Sequence, residues 1–178
     1  VIVVKRLSFV LLVMLLAVTS GLLSACTASP KTRTDDFVKY LPAKTESWER
    51  DDDKTVKLVS STVASKGHVT LFYVGPDDAV AYVVVEAHGS LDAAEVAFSD
   101  RMRDLLLRGF VFDKNRAPQK ATADVDQQGL ARIALLQEEE IVVEINTLAA
   151  SEETPVSDEA FDELLTIVRG AYEKTLED

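Results

Sequence analysis

The chain has 178 residues, 47% of them hydrophobic, and a formal net charge of −11. That length suits one domain and is too short for two well-cored ones. Its acidity opposes binding to polyphosphate backbones and excludes a basic membrane-binding surface, so no nucleic-acid partner is expected.

Lys5 and Arg6 precede the apolar run Leu7 to Val18, and small and polar residues follow it. A charged start, a short apolar centre and a small-residue end are the pattern of an export signal; the run falls short of the roughly 20 apolar residues of a membrane span. The run closes on Leu23-Ser24-Ala25-Cys26, which holds the single cysteine. This segment resembles the lipobox of bacterial lipoproteins. The resemblance implies cleavage between Ala25 and Cys26, acylation of the Cys26 thiol, and a protein held by lipid on the extracytoplasmic side of a cell or outer membrane. Two or three acyl chains anchor stably, each buried methylene contributing about 0.8 kcal/mol. Residues 1–25 are therefore expected to be a signal peptide, 26–36 a lipidated N-terminus and flexible tether containing Pro30, and 37–178 one globular domain. Removing residues 1–25, which hold Lys5 and Arg6 and no acid, carries the net charge from −11 to −13. A domain whose one cysteine is its anchor has no internal disulfide.

Trp48 near the start of the domain reads as a core plug. Val56, Val59 and Val63 recur at helical spacing and place a helix over Lys54–Lys66, against a Val/Thr/Ser content that favours strand. His68–Val74 and Ala79–Glu86 are β-branched runs split by Gly75-Pro76-Asp77-Asp78, which predicts a hairpin. Leu91–Arg108 has a helical apolar stripe, with Ser90 as N-cap and Gly109 just past its end. Phe110–Phe112 is a short apolar run, and Asp113–Gly129 is expected to be mostly loop. Leu130–Leu136 and Ile141–Leu148 form a second hairpin, and Ser157 caps a final amphipathic helix. The order predicts an α+β fold: an antiparallel sheet of about four strands, built from two hairpins, with helices mainly on one face. The layout and the segment AYVVVEAHGSLDAAEVAF are also loosely similar to extracytoplasmic lipoprotein domains of unknown function.

Period-two alternation assigns Ala81, Val83, Val85, Ile133, Leu135, Ile141, Val143 and Ile145 to the face beneath the helices. The opposite face collects Tyr82, Glu86, Arg132, Glu144 and Asn146, a candidate ligand-binding surface for a small molecule or an envelope protein. Asp124-Val125-Asp126-Gln127-Gln128-Gly129 begins like a calcium loop, but its twelfth position is Leu135, which cannot coordinate. His68 and His88 bracket the first hairpin without a third ligand and are expected at exposed strand ends. There is no GxSxG, HExxH or phosphate-binding glycine loop. No catalytic residue, metal or cofactor is assigned. The reading is a lipid-anchored binding or assembly module; the alternatives are a small envelope hydrolase whose site forms only in three dimensions, and a weak calcium-dependent module.

Overall fold

The computed structural model describes residues 29–57, 66–112, 122–127 and 130–177. Its helices are α1 (Pro30–Lys39), α2 (Leu91–Leu107) and α3 (Asp158–Glu177). Its strands are β1 (Glu49–Arg50), β2 (Val56–Lys57), β3 (Lys66–Val74), β4 (Val80–His88), β5 (Val111–Phe112), β6 (Thr122–Gln127), β7 (Ala131–Glu138) and β8 (Ile141–Leu148). The sheet runs β1-β3-β4-β8-β7-β6-β5, with β2 also on the outer edge of β3. Every pairing is antiparallel, so the α+β expectation holds, with five long strands and three short ones.

Both predicted hairpins form. Pro76–Asp78 makes a single 3₁₀ turn between β3 and β4, with Asp77 and Asp78 at positive φ, where Asp is better tolerated than a bulky residue. Glu139 and Glu140 join β7 to β8, so that Glu138 faces Ile141. Ser90 accepts the Ala93 N–H at the start of α2, and Ser157 accepts the Ala160 N–H at the start of α3. Each hydroxyl satisfies a donor that the first helical turn leaves without a partner.

Three expectations change. Residues 30–36, expected within a tether, belong to α1. Pro30 occupies a first-turn position where its missing N–H costs nothing, and Ser29 accepts the Thr32 N–H. Burial of Phe37 and Thr34 against β3 supplies what propensity alone does not. The helix expected over Lys54–Lys66 is replaced at its ends by β2 and the first residue of β3, since β-branched residues suit a pleated edge; 58–65 lie outside the described residues. Thr122–Gln127, expected in a loop, is strand β6, recruited by pairing with β7.

The main core lies between one face of the sheet and helices α1 and α3. Ala81, Val83 and Val85 of β4 and Val143 and Ile145 of β8 meet Phe37, Phe161, Leu164, Val168 and Tyr172. Trp48 plugs one end of it, donating its indole N–H to the Ala160 carbonyl at 2.8 Å. Helix α2 lies on the other face, where Ala94 packs with Leu135 and Val142, and Leu105 with Phe110 and Ile133. Among the described residues, two helices thus cover one face and a single helix covers part of the other.

Candidate functional site

The register sorts the sheet's residues by face, because directly opposed residues share one. On the α2 side, Lys66↔His88 begins a ladder that continues through His68↔Glu86↔Val142 and Thr70↔Val84↔Glu144↔Leu135. It ends in Phe72↔Tyr82↔Asn146↔Ile133 and Val74↔Val80↔Leu148↔Ala131. Tyr82, Glu86, Glu144 and Asn146 are therefore together, as expected. Arg132 is not among them: it opposes Thr147, and so lies on the face of Ala81.

There Arg132 joins β7 to α3. Its Nη1 donates to the Ser157 carbonyl at 3.2 Å and pairs with Asp158 at 2.9 Å, while its guanidinium stacks 4.3 Å from the Phe161 ring. Ile133 and Leu135, assigned to the main core, move to the α2 side with the same correction. Arg132 through Leu136 are all buried, so β7 has no alternation to read; a one-residue slip reverses every side chain. The two-residue turn at Glu139 and Glu140 fixes the register, and taking it as the turn locates Arg132.

The cation that the α2 side does use is Arg101, from α2. Its Nη2 donates to Glu86 Oε1 at 2.9 Å and its Nη1 to Glu144 Oε2 at 2.7 Å. Glu144 Oε1 accepts from Asn146 Nδ2 at 2.7 Å. His68 Nδ1 lies 3.0 Å from Glu86 Oε1, and its Nε2 lies 3.2 Å from the Thr70 hydroxyl. His88 approaches from the far side, its Nε2 3.7 Å from Glu86 Oε2, beyond hydrogen-bonding distance, and buried. Glu86 is 3% exposed and His88 7%, so the expectation of exposed strand-end histidines fails. The two imidazoles instead flank a buried carboxylate.

This cluster binds α2 to the sheet; its carboxylates are engaged with the chain's own cation. Among the described residues no group of three or more His, Cys, Asp or Glu could hold a metal ion. Asp124 and Asp126 of the calcium-like motif lie in β6 rather than in a loop, and Gln128 and Gly129 fall outside the described residues.

Beyond the cluster, α2 covers the last two ladder rows only in part: Ile133 is buried against Leu105, and Phe72 is buried, while Val74, Tyr82 and Leu148 stand open. Tyr82 is 41% exposed, Leu148 48% and Val74 37%, with the Phe72 ring set edge-on to Tyr82 at 5.1 Å. Lys54 holds its ammonium 4.6 Å from the Phe72 ring centre, a cation–π contact at the border of this patch. Val74 also lines an open groove of about 870 Å³ whose other walls include Lys44, Trp48, Arg50, Asp52 and Pro76. A Cβ on Gly75 would stand 2.5 Å from the Trp48 ring, so only glycine lets the strand end lie against that indole. Glu163 of α3 fixes the outer wall, accepting the N–H groups of Glu46 at 2.7 Å and Ser47 at 3.1 Å. Arg50 holds the inner one, its Nη1 donating to the Leu41 carbonyl and its Nε to Asp52. Burial acts to lower the Arg50 pKa, but Asp52 and Tyr73 outweigh it and raise it, so this cation is permanent.

Arg101, and the place of His68 and Phe72 of the expected strand β3 on this face, are what sequence reading missed. Arg101 interrupts the apolar stripe of α2 between Phe98 and Met102, and an arginine on a core-facing stripe is a signal of a buried acid opposite. Ala25 and Cys26 lie outside the described residues, and no described helix is long and apolar enough to cross a membrane. No protein family, curated protein or solved structure matches this chain.

Proposed function

We propose that this protein is a cell-envelope lipoprotein, anchored through acylated Cys26 on the extracytoplasmic side of a cell or outer membrane, whose α+β domain works by binding rather than by catalysis. The anchoring reading is supported by Leu23-Ser24-Ala25-Cys26 after a short apolar run. The observation that carries the binding reading is the partly covered end of the α2-side sheet, where Val74, Tyr82 and Leu148 stand exposed beside the groove. Rigid strands hold the aromatic ring and aliphatic side chains at fixed spacing, and Asn146 and Lys54 offer polar contacts at its margin. A small molecule with an apolar face, or a loop of an envelope protein, fits such a surface.

Two measurements test this. Labelled palmitate is expected to enter the wild-type protein and not the Cys26→Ser variant, which should leave the membrane fraction; a variant that stays membrane-bound and correctly processed would defeat the anchoring. A photo-crosslinking residue at Tyr82 is expected to give a discrete adduct in intact cells that the same residue at the exposed Arg169 of α3 does not. Identical patterns from the two positions would defeat the binding surface.

A further inference from the structure

Ser29 caps α1, and only three peptide units separate it from Cys26. Three peptide units reach at most about 11 Å in any conformation. The start of α1 is in turn fixed to one end of the sheet. The Pro30 carbonyl oxygen lies 2.5 Å from where a Cβ on Gly67 would stand, so helix and strand are in direct contact at the beginning of β3. Arg33 Nη1 pairs with Glu140 at 2.8 Å in the β7–β8 turn, and the Glu140 carbonyl accepts the His88 N–H at 2.8 Å at the end of β4. Helix α1 then runs along β3 toward its other end, where the Pro42 carbonyl accepts the Tyr73 hydroxyl. From Gly67 to Gly75 a strand extends about 26 Å. The groove and the Tyr82 rows are therefore at the end opposite the lipid attachment.

The short reach decides which end meets the lipid: at most about 11 Å of chain between Cys26 and Ser29 keeps the start of α1 near the acylated residue, and the attachment places no such limit on the opposite end of β3, about 26 Å on. We infer that the lipidated protein holds the end formed by Pro30, Gly67 and the Glu138–Glu140 turn nearest the headgroups and carries the groove and the Tyr82 rows at the end away from the membrane. This orientation rests on the acylation of Cys26 proposed above.

Cys26 is the only cysteine, and acylation occupies its sulfur, so a thiol-reactive fluorophore reports only on an introduced cysteine. Glu138→Cys, at the end of β7, and Glu46→Cys, on the groove wall, are both at exposed positions. Each full-length acylated variant is labelled and reconstituted into phosphatidylethanolamine–phosphatidylglycerol vesicles with and without a headgroup nitroxide lipid. The label at 138 is expected to lose at least about twice the fraction of emission lost at 46, given the ~26 Å between the two ends. Equal loss, or greater loss at 46, in protein that carries palmitate overturns the orientation and leaves the anchoring intact. Absence of palmitate from both variants overturns the anchoring and the orientation with it. Matching thermal melts of the variants and the wild type confirm that the labels report on a native domain.

Discussion

On the face under α1 and α3, the sheet meets its helices mainly through buried aliphatic and aromatic side chains, with Arg132–Asp158 as a polar contact, whereas under α2 two buried carboxylates and one arginine join the packing of Ala94 and Leu105. The first contact is non-directional and scales with the apolar area removed from water. The second is directional, since Arg101 must reach both Glu86 and Glu144 at once. The difference separates two tasks: the apolar face supplies most of the burial that holds the domain together, and the Arg101 contact fixes how α2 sits over Glu86 and Glu144.

The comparison breaks most visibly at Phe161, fully buried among the helices and the sheet and stacked beneath Arg132. Phe161→Ala is expected to destabilise the domain by about 3–5 kcal/mol, from lost transfer energy plus a cavity, and to remove the platform of the Arg132 guanidinium. Urea unfolding measures this. A loss under about 1 kcal/mol would mean that the α3 face does not carry the fold.

Arg101→Met sharpens the other side. It leaves Glu86 and Glu144 buried without their shared cation, and unpairing a buried ion pair costs about 3–5 kcal/mol. Because the Arg101 side chain is 37% exposed, solvent already screens the contact, and a loss of about 2 kcal/mol is expected. Glu144→Gln combined with Arg101→Met should recover part of that loss. A double-mutant cycle with no coupling would show that α2 is held by Ala94, Phe98 and Leu105 alone.

These two faces were not equally legible in the sequence. The first hairpin, α2 and α3 follow from local chemistry that the fold leaves unchanged: Gly75-Pro76 at a turn, and Ser90 and Ser157 at helix starts. The main core followed from placing Ala81, Val83 and Val85 of β4 on one face by period-two counting. β7 carried no such signal, since Ala131 to Leu136 is apolar apart from Arg132 and is packed on both sides, and only the turn length at Glu139 and Glu140 locates it. β6 was hidden for the opposite reason, its Thr122–Gln127 segment being polar enough to read as loop until β7 supplies a pairing edge. The shared face of Tyr82, Glu86, Glu144 and Asn146, all of them on β4 or β8, was legible, but Glu86 and Glu144 are buried under α2 rather than on an open surface. Its controlling residue, Arg101, belongs to another element, and the contact that brings it there joins positions far apart in the chain. Likewise α1 is stabilised by β3, so its polar sequence looks like a tether when read alone.

The smallest expected effect concerns the groove, which belongs to neither contact and whose outer wall is held by the carboxylate of Glu163. Burial acts to raise the pKa of Glu163, but the hydrogen bonds from Ser47, Thr45 and the backbone of Glu46 prevail and lower it. A carboxyl group whose folded pKa lies below its unfolded one contributes stability that is complete above the ordinary carboxylate range and disappears as pH falls through the lowered folded value. Glu163 is partly open to solvent, which screens its charge, so Glu163→Gln is expected to cost less than about 1 kcal/mol at neutral pH. The thermal melts of wild type and variant should converge as the pH is taken down through and below the carboxylate range, because the charge that receives the Glu46 and Ser47 N–H groups is then lost in both. A difference that stays constant with pH would assign the effect to side-chain shape rather than to charge. A difference confined to the Trp48 fluorescence, with no change in melting, would show that Glu163 holds the groove wall without contributing to the fold.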